Sequence, residues 1–152
     1  VAGSAQRVDF YVLAGEDARD RLKFACRITE QAALAGERVF VWADEPLELE
    51  RFDELLWTFA DRSFVPHEIF GDVQQWNDTP VLLGGGTLPA QPFGLLVNLG
   101  EKVPADAGAA ARIVEIIDAD AARRAAGRMR FRAYRDAGLN PETHHVTAED
   151  AP

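Results

Sequence analysis

The sequence predicts a single α/β domain built on a mostly parallel central sheet flanked by helices. Two short runs of β-branched and aromatic residues, Val8–Leu13 (VDFYVL) and Arg38–Ala43 (RVFVWA), enclose a stretch with apolar side chains near the 3.6-residue period. A strand, a helix and a second strand in that order imply a right-handed crossover and a parallel pair. The length fits one domain: 152 residues at 47% hydrophobic supply one well-buried core and are too few for two typical ones.

VDFYVL reads as a strand buried on both faces. The helix from Asp17 to Ala35 carries Ala18, Leu22, Ala25, Cys26, Thr29, Ala32 and Ala33 on its inward stripe, with Gly36 at its C-cap. Pro46 suits the first turn of a second helix that runs to about Phe59. Ser63 to Pro66 is extended, because the residue before proline avoids the helical region. Pro80–Leu83 and Gly94–Leu99 read as short strands separated by a Gly/Pro-rich loop from Gly84 to Pro92, and Arg112–Ile117 as a last strand. Asp118 or Asp120 then caps a final helix that Gly138 and Pro141 end. From Glu142 onward the chain has no periodicity and little to bury. The expected organisation is therefore an extension at 1–7, a folded domain at 8–140 and a disordered acidic tail at 141–152.

Charge singles out one of these elements. The stretch Ala121–Arg135 (AARRAAGRMRFRAYR) holds six of the 16 basic residues and none of the 25 acidic ones; the rest of the chain has ten basic residues against those 25, a balance of −15 against +6. On helical spacing Arg124, Arg128 and Arg132 stack at i, i+4, i+8 with Phe131 and Arg135 beside them, while Ala122, Ala126, Met129 and Ala133 form an opposing apolar stripe that would pin the helix. A solvated charged face normally mixes signs so that i, i+4 pairs form. Without an acid on this helix, its charge awaits an external anion. Arginine beside an exposed Phe131 and Ile117 suits a ligand both acidic and apolar, such as a peptide with a free C-terminal carboxylate. Gly127 costs the helix about 1 kcal/mol relative to alanine, which either a close-approaching ligand or tight helix packing would explain. The overall charge of −9 argues against a protein that coats nucleic acid by itself.

Other chemistry is sparse. Gly84–Gly86 follows a strand but has no Lys-Ser/Thr after it, Pro89 stands where a dinucleotide motif needs glycine, and Pro89 and Pro92 block a helix there. His67, His144 and His145 do not make a metal site, and His67 after Pro66 reads as a structural hydrogen-bonder. Cys26 lies on an inward stripe, and no carboxylate pair or nucleophile elbow stands out. No catalytic constellation, cofactor or metal is expected. No apolar run approaches 18 residues, which points to a cytoplasmic protein. Phe52, Trp57, Phe59 and Phe64, however, fall within 13 residues: either all four pack the sheet, or those that one short helix and its loop cannot point into the core stay at the surface as anchors of a protein interface.

Four stretches together resemble the chi subunits of bacterial DNA polymerase III: the opening DFYVL; Gly36-x-Arg38-Val39; Phe52-Asp-Glu-x-Leu-Trp57 followed by Ser63-Phe-Val-Pro-His67; and Arg128-x-Arg-Phe-Arg-x-Tyr134-Arg135-x-x-Gly138. The third is the most specific, and the resemblance spans about Val8 to Asn140. It implies a Rossmann-like domain with no activity of its own that serves the polymerase holoenzyme as an accessory subunit. It also implies an adaptor that binds the acidic, hydrophobic C-terminal tail of single-strand-binding protein and links it to the clamp-loader complex, meeting DNA only indirectly. By position, the tail carboxylate would meet Arg128, with Arg124, Arg132 and Arg135 nearby and Ile117 and Phe131 lining an apolar pocket. A second surface, Trp57 and Phe64 with Phe52 and Val65 as neighbours, would take the psi subunit or a helicase-like repair protein. Family members often carry lysine and tyrosine where this chain has arginine and Phe131, a change that keeps charge and apolar area and loses a hydroxyl. The rival readings are a nucleotide-binding enzyme or regulator on the same type of fold, and an arginine helix that binds single-stranded DNA directly.

Overall fold

The computed structural model describes residues 6–59, 65–70 and 79–146. The chain runs β1 (Arg7–Leu13), α1 (Ala18–Leu34), β2 (Val39–Trp42), α2 (Pro46–Thr58), β3 (His67–Ile69), β4 (Val81–Gly84), β5 (Phe93–Asn98), a short 3-10 turn at Ala107–Ala109, β6 (Ala110–Ile117), α3 (Ala121–Asp136) and β7 (Glu142–Val146). The seven strands form one sheet in the order β3-β4-β2-β5-β6-β1-β7, and each adjacent pair is parallel. This is the Rossmann-like architecture expected, with its parallelism complete among the described residues. The central strands β2 and β4 are buried along their whole length, which is why they read as continuous apolar runs without alternation.

The direction of each crossover decides which face its connection covers. From β1 to β2 and from β2 to β3 the chain moves one way along the sheet, and α1 and α2 pack on one face through Leu22, Phe24, Cys26, Phe52 and Leu56. From β4 to β5, β5 to β6 and β6 to β7 it moves the other way, and Leu88, Ala107 and Tyr134 pack on the opposite face with Phe40, Leu96 and Ile113. Connections of a single hand require this division. Among the described residues it leaves α3 as the one α-helix of the second face, beside the edge strand β7.

Several sequence expectations change here. Residues 142–146 lie within the expected disordered tail, yet they form a strand in register with β1, Asp9 opposite Glu142 and Leu13 opposite Val146. The strand is held by a backbone ladder, by His144 Nε2 at 2.9 Å from Asp9 Oδ1, and by the His144 ring stacked on Tyr11 at 4.9 Å. None of these supports appears as apolar periodicity. After Pro66 the chain forms the short edge strand β3, which was not foreseen; Ser63 and Phe64, where an extended segment is expected, lie outside the described residues, as do residues 71–78. The glycine run after β4 has a packing role: a Cβ on Gly85 would stand 2.2 Å from the Ala43 carbonyl oxygen, so only glycine lets the two backbones approach. Among the described residues no helix is long and apolar enough to cross a membrane.

Candidate functional site: the arginine helix and its pocket

Asp120 caps α3, accepting from the Arg123 backbone N–H at 2.9 Å. The face that seats the helix differs from the one its spacing suggests. Met129 is 65% exposed and Ala122 and Ala133 face solvent, whereas Gly127, Arg130 and Tyr134 are buried. Alanine is nearly indifferent to exposure, so an alanine stripe carries little force compared with a satisfied polar anchor and two aromatic rings. Arg130 Nε donates to Glu115 Oε1 at 2.8 Å and its Nη1 donates to the Glu101 carbonyl at 2.9 Å; Tyr134 Oη and Asn98 Nδ2 donate to Glu115 Oε2 at 2.7 and 2.9 Å. Burial pushes the Glu115 carboxyl up, opposed by the Arg130 charge and by the Tyr134, Asn98 and Arg130 donors. Burial first, and then the Glu115 charge, likewise raises the Tyr134 phenol. Phe10 packs against both Phe131 and Tyr134, with ring centroids 5.1 and 5.9 Å apart.

Not all the helix's charge therefore awaits an outside partner. Arg130 is spent on Glu115, and Arg123 makes a two-point pair with buried Asp118, Nε–Oδ1 2.8 Å and Nη2–Oδ2 2.7 Å, whose hydrogen bonds raise the guanidinium pKa. Arg124 is half-buried and donates to the Asp118 carbonyl at 3.1 Å. Among the described residues, Arg124, Arg128, Arg132 and Arg135 have no carboxylate partner. Those are the four arginines singled out from the sequence.

Between them opens an apolar pocket of about 190 Å³, lined by Phe10, Val12, Ile117, Arg124, Gly127, Arg128, Phe131 and Thr143. A second depression, formed by Arg128, Phe131, Arg132, Arg135 and Asp136, shares two of those residues and continues along the helix. The structure thus brings all six sequence-chosen residues to one place. Ile117 corrects its expected exposure: at 7% exposed it is the pocket floor and not a surface side chain. Phe10 and Val12 were missed because a strand buried on both faces does not reveal which face borders a cleft, and Thr143 because it lies in the segment read as a tail.

At the second predicted surface, Trp57 is 43% exposed and its ring lies 4.1 Å from that of His67. His67 is the structural residue expected, with Nδ1 2.6 Å from the Val65 carbonyl and Nε2 2.7 Å from Asp53 Oδ1. Phe52 and Val65 are buried, so they support this surface from below and do not line it. Phe64 lies outside the described residues.

A cleft of about 400 Å³ opens at the carboxyl ends of the strands, the usual ligand position in an open α/β sheet. Asp44, Glu45, Glu48 and Glu101 line it, and Arg21 there is occupied, donating to Ile116 O, Glu48 Oε1 and Leu99 O at 2.9, 2.6 and 3.3 Å. Four arginines, Arg21, Arg51, Arg123 and Arg130, face those four carboxylates, and three of them are already paired, Arg21 with Glu48, Arg123 with Asp118 and Arg130 with Glu115. Asp9, Glu142 and His144 are the one cluster with metal-ligand spacing among the described residues, but Asp9 already meets Arg112 at 2.8 Å, His144 at 2.9 Å and Arg7 at 3.0 Å. Burial pushes the Asp9 carboxyl up, and the His144 and Arg112 contacts with the Arg112 and Arg7 charges outweigh it and hold it below its ordinary value. Two guanidinium groups on the same carboxylate disfavour a cation. Burial, then the Glu30 charge, pushes the Cys26 thiol up to about 12, the condition of an inert core cysteine.

The family model for the DNA polymerase III chi subunit, HolC, matches residues 5–142. The chain belongs to the chi subunit family. It is 33% identical over 140 residues to DNA polymerase III subunit chi of Pseudomonas aeruginosa, covering 92% of this chain and 96% of the relative, and 26% identical over 143 residues to that of Haemophilus influenzae, covering 93% and 99%. Among solved structures, the C-terminal domain of the DEAD-box protein Dbp5 superposes with a TM-score of 0.58 at 8% identity over 93% of this chain and 92% of that one, a likeness of fold alone. Membership supports a replication accessory role for this chi-family chain.

Proposed function

We propose that this chi-family protein is a non-catalytic adaptor in DNA replication that binds the acidic, hydrophobic C-terminal tail of single-strand-binding protein along α3 and links it to the clamp-loader complex. The observation that carries the reading is the apolar pocket set among arginines that have no carboxylate of their own among the described residues. The terminal carboxylate meets Arg128 and Arg124, the last apolar side chain enters between Ile117 and Phe131, and preceding acidic residues lie along Arg132 and Arg135. Charge-assisted hydrogen bonds in partly exposed positions give an affinity that falls with salt, and the apolar pocket gives specificity.

The clamp-loader link is assigned to the exposed Trp57 beside His67, with the psi subunit or a helicase-like repair protein as its occupant. This surface belongs to the sheet face covered by α1 and α2, and the tail site to the other, so both partners can be held together. The test is a fluorescence-anisotropy titration with a labelled tail peptide at two salt concentrations. Wild type binds saturably and more weakly at high salt, and Arg128→Ala weakens binding by about tenfold or more, the loss of one charged hydrogen-bonding anchor. No binding by folded wild type rejects the reading.

A further inference from the structure

Gly127 on α3 and Ile117 at the end of β6 meet closely at the pocket. A Cβ built on Gly127 would stand 2.6 Å from Ile117 Cδ1 and 3.2 Å from Ile117 Cγ1, and both residues line the pocket. The first distance is inside van der Waals contact, so with any larger residue at 127 either Ile117 turns up into the cavity or α3 lifts from the sheet. Lifting is resisted by the buried Arg130–Glu115 pair and Tyr134 one and two turns further on. Packed interiors have little spare volume to absorb the displaced methyl. The cavity is where it goes.

We propose that Gly127 and Ile117 are a matched pair that sets the depth of this pocket, so that the absence of a side chain at 127 fixes how large an apolar group the pocket admits; the inference rests on the tail-binding reading for its natural ligand. A cavity of about 150 Å³ with aliphatic and aromatic walls suffices for a benzene ring, and the pocket offers about 190 Å³ between Phe10, Phe131 and Ile117. Arg124 and Arg128 at its rim supply the cations for the carboxylate. Gly127 is thus a specificity residue that touches the ligand little and acts through Ile117. Its partner's role is separable, because Ile117→Val removes the atom at 2.6 Å and keeps the one at 3.2 Å.

The experiment follows the Val12 methyl resonances, which report on the pocket wall in every variant, during titration with N-acetylphenylalanine and, in parallel, N-acetylalanine. Four folded proteins are compared: wild type, Gly127→Ala, Ile117→Val and the double variant. Wild type responds saturably to N-acetylphenylalanine and weakly to N-acetylalanine. Gly127→Ala binds N-acetylphenylalanine about tenfold more weakly, and the double variant recovers to within about threefold of wild type. The response to N-acetylalanine is the same in all four. Equal binding by wild type and Gly127→Ala, or a double variant as weak as Gly127→Ala, overturns the inference, as does a wild type whose Val12 methyls ignore N-acetylphenylalanine. Should Gly127→Ala fail to fold, a double variant that also fails to fold overturns it too. If the pattern holds while the single-strand-binding-protein tail peptide does not bind, the adaptor reading falls and the matched pair stands.

Discussion

Two positions apart on α3, Arg128 projects from the surface while Arg130 passes beneath the helix to Glu115. The same residue type does two jobs because its surroundings differ: Arg130 meets a carboxylate with all its acceptors engaged in the interior, and Arg128 borders an apolar pocket with no acid among the described residues. Removing one member of a buried ion pair leaves the other charged and unsolvated. Arg130→Ala is therefore expected to destabilise the fold by about 3–5 kcal/mol, read by urea denaturation, while Arg128→Ala changes stability by no more than about 0.5 kcal/mol. Equal losses would contradict this division of labour. The sequence showed which helix concentrates arginine but not which arginines are consumed at home. Asp118 and Glu115 precede the helix, outside the i, i+4 window in which a sequence displays its ion pairs, and only the fold brings them beneath it.

At the scale of elements, the strands and helices of the interior were legible because burial writes itself into composition: β2 (VFVW), β4 (VLLG) and the Ile113–Ile117 end of β6 (IVEII) are dominated by Val, Leu, Ile and aromatic residues. The edges were not. β7 is an outer strand whose supports are a backbone ladder and the His144 contacts to Asp9 and Tyr11, and its polar sequence resembles a tail. The orientation of α3 was also misjudged, since an apolar stripe of alanines is a weak cue against a buried Arg–Glu–Tyr network. Met129→Lys separates the two orientations. With Met129 on the solvent side the substitution alters thermal stability by no more than about 0.5 kcal/mol, whereas a lysine against the sheet would cost several times that.

Across the whole molecule, −15 and +6 are held in different parts of one small domain. An isolated strand of DNA meets a mostly acidic particle, while a short acidic peptide needs only the arginine groove. The last crossovers run the opposite way along the sheet with the same hand, which puts that groove on the sheet face away from Trp57, the arrangement the proposed adaptor needs. The measurement that tests this account most directly is surface-plasmon-resonance binding of wild type and Arg128→Ala to immobilised single-stranded DNA, naked or coated with the cell's own single-strand-binding protein, at moderate salt. The account predicts binding of wild type to the coated strand, loss of it in Arg128→Ala, and little binding of either protein to the naked strand. Equal binding of wild type to naked and coated DNA would contradict it and identify α3 as a direct nucleic-acid contact.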